Sequence, residues 1–488
     1  MMNLFDKKRS GAAGGGAGLQ KGQLSLLVLI FAAVAVLILS GLLVWANNRQ
    51  TSAAHDVNKA QAFDVAESGI EYYRWHLAHA HTDYQDGTGH AGPYVHPFYN
   101  KNGVQIGQFS LAITAPPTGS TVVTVTSTGT ILTDTTVSKT ITVKMAIASF
   151  AKYAAVLNAA VRFGPGTEVF GPIESNGGIH FDGLAHNLVS SAVASYQDPD
   201  EGGPNVFGVH TEVAPIDPLP PSPVPNRPDV FIAGRQFPVP AVDFTGITST
   251  LSSIQSSAQS AGFYRGSSGK NNYGYDIVLK TNDTFDLYTV TKLTSAPNGC
   301  SNSESQDGWG TWSINAETLL GNYPIPANGL IFLGDNVWVR GQINTARVTI
   351  ASGVFPDNVS TRTSITVNNS LTYTNFNGSD IISLIAQNNI NAGLYSDDTL
   401  SIDGALMAVN GRVGRYYYSS SCSANYIRTS ITLDGMIASN QRYGFAYTDS
   451  TGYITRNIIY DANLFYNPPP SFPLTSDNYD EIYWDEVN

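Results

Sequence analysis

Charged residues are scarce in this chain, and cysteine is nearly absent. Only 13% of the 488 residues are Asp, Glu, Lys or Arg, and Cys300 and Cys422 are the only cysteines. The sequence contains no Gly-x-Ser-x-Gly, no phosphate-binding loop and no His-Glu-x-x-His, so common signatures of hydrolases, nucleotide-binding proteins and zinc proteases are missing. The net charge is −12 and no Lys/Arg cluster occurs after residue 22, which disfavours nonspecific binding of nucleic acid.

A long uncharged run occupies the N-terminal region. No charged residue occurs between Gly22 and Asn48, and residues 24–46 exceed the roughly 20 apolar residues that span a bilayer. The basic residues lie before the run, at positions 7–9 and at Lys21, which predicts a cytoplasmic N-terminus and export of residues 50 onward. A cleaved signal peptide is the alternative, but its apolar region is usually shorter and ends at a small-residue cleavage site.

Helical periodicity continues beyond the apolar run. Apolar residues recur at steps of three and four as far as Leu77, and no proline occurs before Pro93. We predict one continuous helix over residues 23–80, roughly 85 Å long, whose second half packs on a soluble domain. The alternative is a membrane anchor followed by a separate short helix. The residues expected to pack on a sheet are Phe63, Ala66, Ile70, Tyr73 and Leu77.

The N-terminal residues resemble a known family. A basic leader ends in Gly22 directly before the apolar helix, and the helix carries Ala-Glu-Ser-Gly at residues 66–69. This is similar to type IV pilin-like proteins with a PilX-type N-terminal domain. The resemblance implies a leader peptide over residues 1–22, cleavage by prepilin peptidase between Gly22 and Gln23, methylation of the new N-terminus, and packing among other pilin subunits. Most pilins carry Glu at the fifth position after cleavage; here it is Leu27, which favours a minor or tip subunit over a major one.

Residues 81–149 predict a small antiparallel sheet. The segments 108–113, 122–126 and 140–144 alternate apolar and polar residues over much of their length. Packed on the helix, this sheet would complete a pilin-type α+β domain.

Residues 150–470 predict a large β-rich ectodomain, so the chain as a whole is classed as α+β, mainly β. Short strands alternate with Gly, Asn and Asp corners, and Ile/Leu-Asp-Gly recurs at 402–404 and 433–435. Irregular repetition of this kind favours a β-solenoid over a β-sandwich. A proline-rich strap and an amphipathic helix are expected as insertions at a coil edge within residues 215–262. The acidic, aromatic residues 471–488 predict a solvated tail.

Only a few carboxylates are candidates for a catalytic role. Polysaccharide-cleaving enzymes use paired carboxylates, and parallel β-helices include such enzymes. The candidates here lie in Gly/Asn-rich corners, where Asp is a preferred turn residue, and we interpret them as turn residues. They are Asp335, Asp397, Asp398, Asp403 and Asp434.

Two regions are candidate metal sites. Asp198, Asp200 and Glu201 offer oxygen ligands for calcium, but they lack the EF-hand pattern. Five histidines near the end of the long helix lack a helical i, i+4 pair and a nearby cysteine, so we interpret them as a polar connection. We therefore expect no metal and no cofactor. The five are His76, His79, His81, His90 and His96.

Cys300 and Cys422 both lie in the exported part, where disulfides persist. One intrachain pairing is possible, and we expect a bond if the fold brings the two Cα atoms within about 4–7 Å.

These observations favour a non-enzymatic, pilin-like cell-surface subunit with a structural or adhesive role. Its expected partners are other pilin subunits, prepilin peptidase, the inner membrane before assembly, and a surface or glycan ligand. One alternative is a membrane-tethered enzyme of β-helix fold that acts on envelope polysaccharide. The other is a single-pass surface protein that does not polymerise.

Overall fold

A computed structural model describes residues 21–116, 121–245 and 247–487. Its first element is α1 (Lys21–His79), an unbroken helix of 59 residues. By length and composition this helix could cross a membrane, and its most apolar stretch is not buried against the rest of the chain. The anchor and the packing segment are therefore one helix and not two. Residues 1–20, most of the predicted leader, lie outside the described residues.

The second half of α1 lies on a five-stranded antiparallel sheet that includes the three strands predicted from alternation. Inward-facing residues of these strands are buried against the helix, while their neighbours are more exposed. An additional N-terminal strand and a C-terminal strand complete the sheet. The strands are β1 (Tyr94–Tyr99), β2 (Gln105–Thr114), β3 (Val123–Ile131), β4 (Asp134–Ser149) and β5 (Leu474–Val487).

The acidic C-terminal segment is strand β5, so the prediction of a solvated tail over residues 471–488 was wrong. β5 pairs antiparallel with β4, and the ring of Trp484 packs edge-on against Phe63 of α1 with centroids 6.1 Å apart. Glu486 forms an ion pair with Lys139 of β4. The acidic composition suggested a solvated tail, but an edge strand also carries charged side chains at its exposed positions.

The pairing of β4 with β5 has a topological consequence. β4 ends at Ser149 and β5 begins at Leu474, yet the two strands are neighbours in one sheet. All of residues 150–473 are therefore inserted between two adjacent strands of the small sheet. Both ends of the insertion leave from the same end of the β4–β5 strand pair. We call residues 21–149 and 474–487 the helix–sheet module.

The inserted region is a stack of short parallel strands around a continuous apolar core. Within each parallel ladder, a strand pairs with the equivalent strand of the next layer, as expected when successive layers bury their apolar faces on one another. In spatial order, the longest ladder contains Phe263–Arg265, Leu330–Leu333, Arg347–Ser352, Ile381–Ala386, Thr399–Ala408, Ile427–Ser439, Ala155–Leu157, Ile173–Ser175, Val189–Ser191 and Arg235–Gln236.

Further strands form the other sides of the stack. A second ladder contains Gly274–Leu279, Val337–Gln342, Ile365–Thr366, Ile390–Ala392 and Val413–Arg415. A third runs from Gly341–Gln342 through Leu371–Thr372, the first halves of Thr399–Ala408 and Ile427–Ser439, Gly452–Tyr460 and Thr167–Phe170 to Leu184–Ala185. Val161–Phe163, Ile179–Phe181 and Val209–His210 form a separate parallel sheet. The antiparallel pairs join Thr284–Leu293 to its neighbours Gly274–Leu279 and Ile314–Pro324, and Ser195–Tyr196 to Val206–Phe207.

The order of strands in space differs from their order along the chain. Ala155–Leu157, the first strand of the insertion, pairs with residues 437–439 near its end. The layers built by residues 155–236 therefore continue the stack that residues 263–460 begin. The chain enters at the middle, runs to one end, and returns to the opposite end.

The return is made by a proline-rich segment and α2 (Ile247–Ala261). Ile247, Leu251, Ile254 and Ala258, the stripe expected from helical spacing, are all buried. They pack on the outer face of the longest ladder, against side chains such as Phe332. The helix therefore lies across a sheet face, and the expected place at a coil edge was wrong. A short helix, α3 (Asn463–Tyr466), and 3-10 turns at Phe150–Lys152, Val359–Thr361, Ser420–Cys422 and Ala424–Tyr426 complete the elements.

The Asp-Gly repeats of the sequence are stacked in register. Asp403 pairs with Asp434 and Gly404 with Gly435 in adjacent parallel strands. Both glycines have positive φ, 150° and 152°, and a Cβ on Gly435 would lie 1.9 Å from the Gly404 carbonyl oxygen. The repeat therefore marks a bend where one long strand passes from one ladder to the next, and only glycine fits there.

Candidate functional site

The helix–sheet interface contains the residues expected from the sequence. Ala66, Ile70, Tyr73 and Leu77 are at most 3% exposed, and Phe63 is partly buried at the margin. Two further residues of the interface, Ala62 and Val65, were not predicted.

Close approach of helix and sheet depends on a glycine in β3. A Cβ on Gly129 would lie 2.2 Å from the Ala62 carbonyl oxygen, so any side chain there would force α1 away from the sheet. Sequence alternation predicted the strand but not this contact.

The proposed processing site lies in the first turn of α1. The helix begins at Lys21, so Gly22 and Gln23 are helical in the uncleaved chain. Leu27, the fifth residue after the predicted cleavage site, is 52% exposed. Cleavage after Gly22 stays a prediction.

The two cysteines are joined in the structure. Cys300 and Cys422 form a disulfide that ties the loop before Ile314–Pro324 to a loop of the stack. Cys422 is fully buried beside Tyr416 and Tyr418.

Three of the carboxylates considered for catalysis accept hydrogen bonds in turns, as the corner interpretation expected. Asp335 accepts from the Ser268 amide, Asp397 from the Ser370 amide, and Asp398 from Thr429. Each of these carboxylates therefore stabilises a turn of the backbone.

Asp403 and Asp434 differ from the other three because they lie within strands. Burial raises the pKa of each carboxyl to about 6, and the nearby charge of Asp461 adds to the effect in both. Asp403 accepts a hydrogen bond from the Tyr373 amide. The structure thus brings two of the five candidate carboxylates together and leaves the other three apart.

The five N-terminal histidines do not converge. His76 contacts Asp83 and His96 contacts Asp86, in separate pairs. Within residues 21–116, 121–245 and 247–487, the group whose ligand atoms do converge is His180, Asp198, Glu201 and His210, with all four atoms within 4.8 Å of one another. We call this group the histidine cluster.

Parallel pairing creates the histidine cluster. His180 comes directly after Gly-Ile and His210 directly after Gly-Val, and the two histidines are direct partners in adjacent strands, with ring centroids 4.5 Å apart. Asp198 and Glu201 come from the loop between those strands. The repeated Gly-Ile/Val-His is the sequence signal that would have found the pair, whereas calcium was considered only for the loop.

Three members of the cluster are deeply buried. The side chains of His180, Asp198 and His210 are 1%, 2% and 4% exposed, and that of Glu201 is 28% exposed at the mouth. His180 Nδ1 lies 2.7 Å from Asp198 Oδ2 and 3.6 Å from Glu201 Oε1. His210 Nε2 lies 3.4 Å from the same Asp198 oxygen.

A second set of groups surrounds the cluster. His180 Nε2 lies 2.8 Å from Asp182 Oδ2, and His210 Nδ1 lies 3.4 Å from the Tyr196 hydroxyl. Arg162 contacts both Asp182 and Glu201.

The electrostatics of the cluster result from burial and from the density of carboxylates. Burial alone would lower the pKa of His180, but hydrogen bonds to Asp182 and Asp198 outweigh it and raise this pKa to about 9. Burial raises the pKa of Glu201 to about 7, and the neighbouring carboxyl of Glu212 adds to the rise. Burial opposes ionisation of Asp198, but the hydrogen bond to His180 and the proximity of His210 hold its pKa far below the usual range.

A cleft of about 1090 Å³ opens beside the cluster. Its lining is rich in arginine and tyrosine, and Arg162 and Asp200 belong both to this lining and to the surroundings of the cluster. Arg442, at the cleft, forms an ion pair with Asp200. The cleft lies where the layers of residues 155–236 meet those that end near residue 460.

No family model matches the chain, and no curated protein matches it. Among solved structures, the chain is similar to the competence-associated pilin ComZ from Thermus thermophilus, with 11% sequence identity and a TM-score of 0.31. The alignment covers 88% of this chain and 97% of that chain. This likeness is too weak to indicate a function, so the proposed function rests on the residues of this chain.

Proposed function

We propose that this chain is a pilin-like cell-surface subunit, held by α1 in the inner membrane before assembly and then in a filament. The observation that carries the proposal is the division of α1 into two halves. The half up to Trp45 exposes its large apolar side chains, whereas the half from Ala62 to Leu77 buries a stripe against a sheet. An exposed apolar surface of this size needs lipid or other helices to cover it.

The charge distribution supports the orientation. Basic residues precede the apolar run and the exported part is acidic, so the N-terminus is cytoplasmic before assembly. Prepilin peptidase would cleave after Gly22, and the new N-terminus at Gln23 would be methylated.

Leu27 supports a minor or tip position. The resemblance implies that a neighbour's Glu normally pairs with the N-terminal amine when a subunit enters the apolar core of the filament. Leu27 offers no charge, and an unpaired buried amine is strongly unfavourable. A rare subunit among Glu-bearing subunits would avoid most of that cost.

The inserted stack supports a projecting structural or adhesive role. We infer that the layers are the coils of a β-solenoid and the parallel ladders are its faces, because strands of successive layers pair in register around one apolar core. Both of its ends leave from the same end of the β4–β5 strand pair, so the insertion does not interrupt α1. The cleft with its arginine and tyrosine lining is the candidate surface for a glycan ligand.

The decisive experiment reads the N-terminal residue of the mature protein by mass spectrometry. We expect Gln23, N-methylated, in the natural host. Gly22→Leu should retain the leader, whereas Gly18→Leu, a matched change within the leader, should be processed normally. Normal processing of Gly22→Leu would remove the main support for a pilin and favour a surface protein that does not polymerise.

One observation keeps the enzyme alternative open. Asp403 and Asp434 lie side by side with raised pKa values, an arrangement that also occurs in carboxylate pairs of glycoside hydrolases. Release of reducing ends from purified envelope polysaccharide, lost in Asp403→Asn, would favour that class over a structural subunit.

A further inference from the structure

We propose that His180, Asp198, Glu201 and His210 bind a divalent transition-metal ion of the zinc class. The site lies in the inserted stack and includes neither a residue of α1 nor any of the five carboxylates considered for catalysis. It does not depend on whether the chain enters a filament.

The spacing of the ligand atoms fits a tetrahedral ion. Bonds of about 2.0–2.2 Å in a tetrahedral shell place neighbouring ligand atoms roughly 3.3–3.6 Å apart. His210 Nε2 and Asp198 Oδ2 are 3.4 Å apart, and His180 Nδ1 and Glu201 Oε1 are 3.6 Å apart. The remaining short contact, 2.7 Å between His180 Nδ1 and Asp198, would open slightly around an ion.

Each histidine presents one nitrogen to the centre and the other to a supporting group. His180 turns Nδ1 inward and holds Nε2 against Asp182, while His210 turns Nε2 inward and holds Nδ1 near Tyr196. Metal-binding histidines are characteristically oriented in this way by a carboxylate or another polar group.

One buried atom points to a missing partner. His210 Nε2 is buried and has no hydrogen-bond partner among the described residues, although it faces Asp198. A polar atom buried without a hydrogen bond is costly, and a metal bond would satisfy it.

The donor set selects the class of ion. Two imidazoles with one or two carboxylates suit zinc and neighbouring first-row metals. Calcium takes six to eight oxygen ligands, which this site does not supply. The local charge also favours a cation, since Asp182, Asp198, Glu201 and Glu212 crowd a region where the neighbouring guanidinium groups are those of Arg162 and Arg442.

Position in the fold gives the ion a structural role. The ion would join two parallel strands to the loop that carries Asp198 and Glu201. The same loop is tied through Asp200 to Arg442, which belongs to the layers built by the later part of the chain. Metal binding would therefore strengthen the junction between the two parts of the stack.

The test uses the full chain in detergent, stripped with EDTA and dialysed. Titration with ZnCl₂ in a calorimeter should give one site per chain, and Zn²⁺ should raise the Tm. Co²⁺ in its place should give the visible absorption bands of a tetrahedral nitrogen and oxygen site. His210→Ala removes a ligand and should weaken zinc binding by more than the roughly 10–100-fold that is lost when only a supporting group is removed. Glu201→Gln, at the exposed mouth, should weaken it by at least about 10-fold, the lower end of that range. The control is His186→Ala, since His186 pairs with Glu168 outside the cluster.

Several outcomes would overturn the assignment. One is a stripped, folded wild-type chain that takes up no stoichiometric zinc, which would mean that the contacts of His180 with Asp182 and Asp198 hold the cluster together without an ion. Another is equal zinc binding by Glu201→Gln, His210→Ala and wild type. If His210→Ala fails to fold, Glu201→Gln and the cobalt spectrum decide.

Discussion

The helix–sheet module and the inserted stack build their cores in opposite ways. In the module, β1 to β4 pair in chain order and rest on one face of one helix. In the stack, every layer supports the next, and the junction of Ile437 with Ala155 joins distant parts of the chain. The module therefore depends on a single interface, whereas the stack distributes its stability over many similar layers.

The largest expected effect comes from breaking that single interface. Ile70→Asp would bury an unpaired carboxylate between α1 and the sheet at a position that is 3% exposed, at a cost of several kcal/mol. We expect the module to become sensitive to protease while the stack stays folded. Limited proteolysis with mass spectrometry of the fragments measures this.

The matched control is Trp75→Asp on the exposed face of the same helix, where the side chain is 60% exposed. It should leave proteolysis unchanged. If Ile70→Asp leaves protease sensitivity as unchanged as Trp75→Asp does, packing of α1 on the sheet does not stabilise the module. Phe63→Asp, at the margin beside Trp484, should have an intermediate effect.

Sequence periodicity predicted the module well because its contacts are local and repetitive. The stripe from Phe63 to Leu77 and the alternation of β2 to β4 each reflect one period. β5 could not be found in this way, because its partner β4 is more than 300 residues away and nothing near Tyr479 or Trp484 encodes that pairing.

For the inserted region, the sequence predicted the β-rich character and the buried stripe of α2. The Asp-Gly repeats lie in register in adjacent strands, but their recurrence alone did not predict that pairing. The order of the layers and the histidine cluster result from parallel pairing of distant strands, which no local pattern specifies. His180 and His210 meet because Ile179 pairs with Val209, and only the shared Gly-Ile/Val-His hints at this.

A smaller effect is expected when one layer of the stack is strained. Gly435→Ala adds a Cβ at φ 152° and at 1.9 Å from the Gly404 carbonyl oxygen, which should cost roughly 3 kcal/mol. Gly444→Ala is the control, since its Cβ would meet no atom closer than 3.8 Å.

Urea unfolding, followed by the fluorescence of the stack's tryptophans, would measure the difference between these two alanine variants. Because the layers support one another, we expect a lowered midpoint with the rest of the stack still cooperative. Equal midpoints for the two variants would contradict the tight bend that the Asp-Gly repeat forms.

The smallest expected effect concerns the carboxylate beside that bend, and it depends on pH. Burial, together with the charges of Asp403 and Asp461, raises the pKa of Asp434 to about 6. Between pH about 4 and 6 the folded chain thus keeps a proton that the unfolded chain has released. Its contribution to stability falls as pH rises through that window and stays unfavourable above it.

Asp434→Asn should therefore stabilise the stack at pH 7.5 by about 1 kcal/mol, discounted because the side chain is partly exposed, and change little at pH 4. Asp398→Asn is the opposing control, because hydrogen bonds from Thr429 lower the pKa of Asp398 and the substitution should destabilise at pH 7.5. Urea midpoints at the two pH values measure both variants. A loss of stability in Asp434→Asn at pH 7.5 would mean that favourable contacts stabilise the ionised carboxylate of Asp434. It would also mean that burial and the charges of Asp403 and Asp461 do not destabilise this layer of the stack.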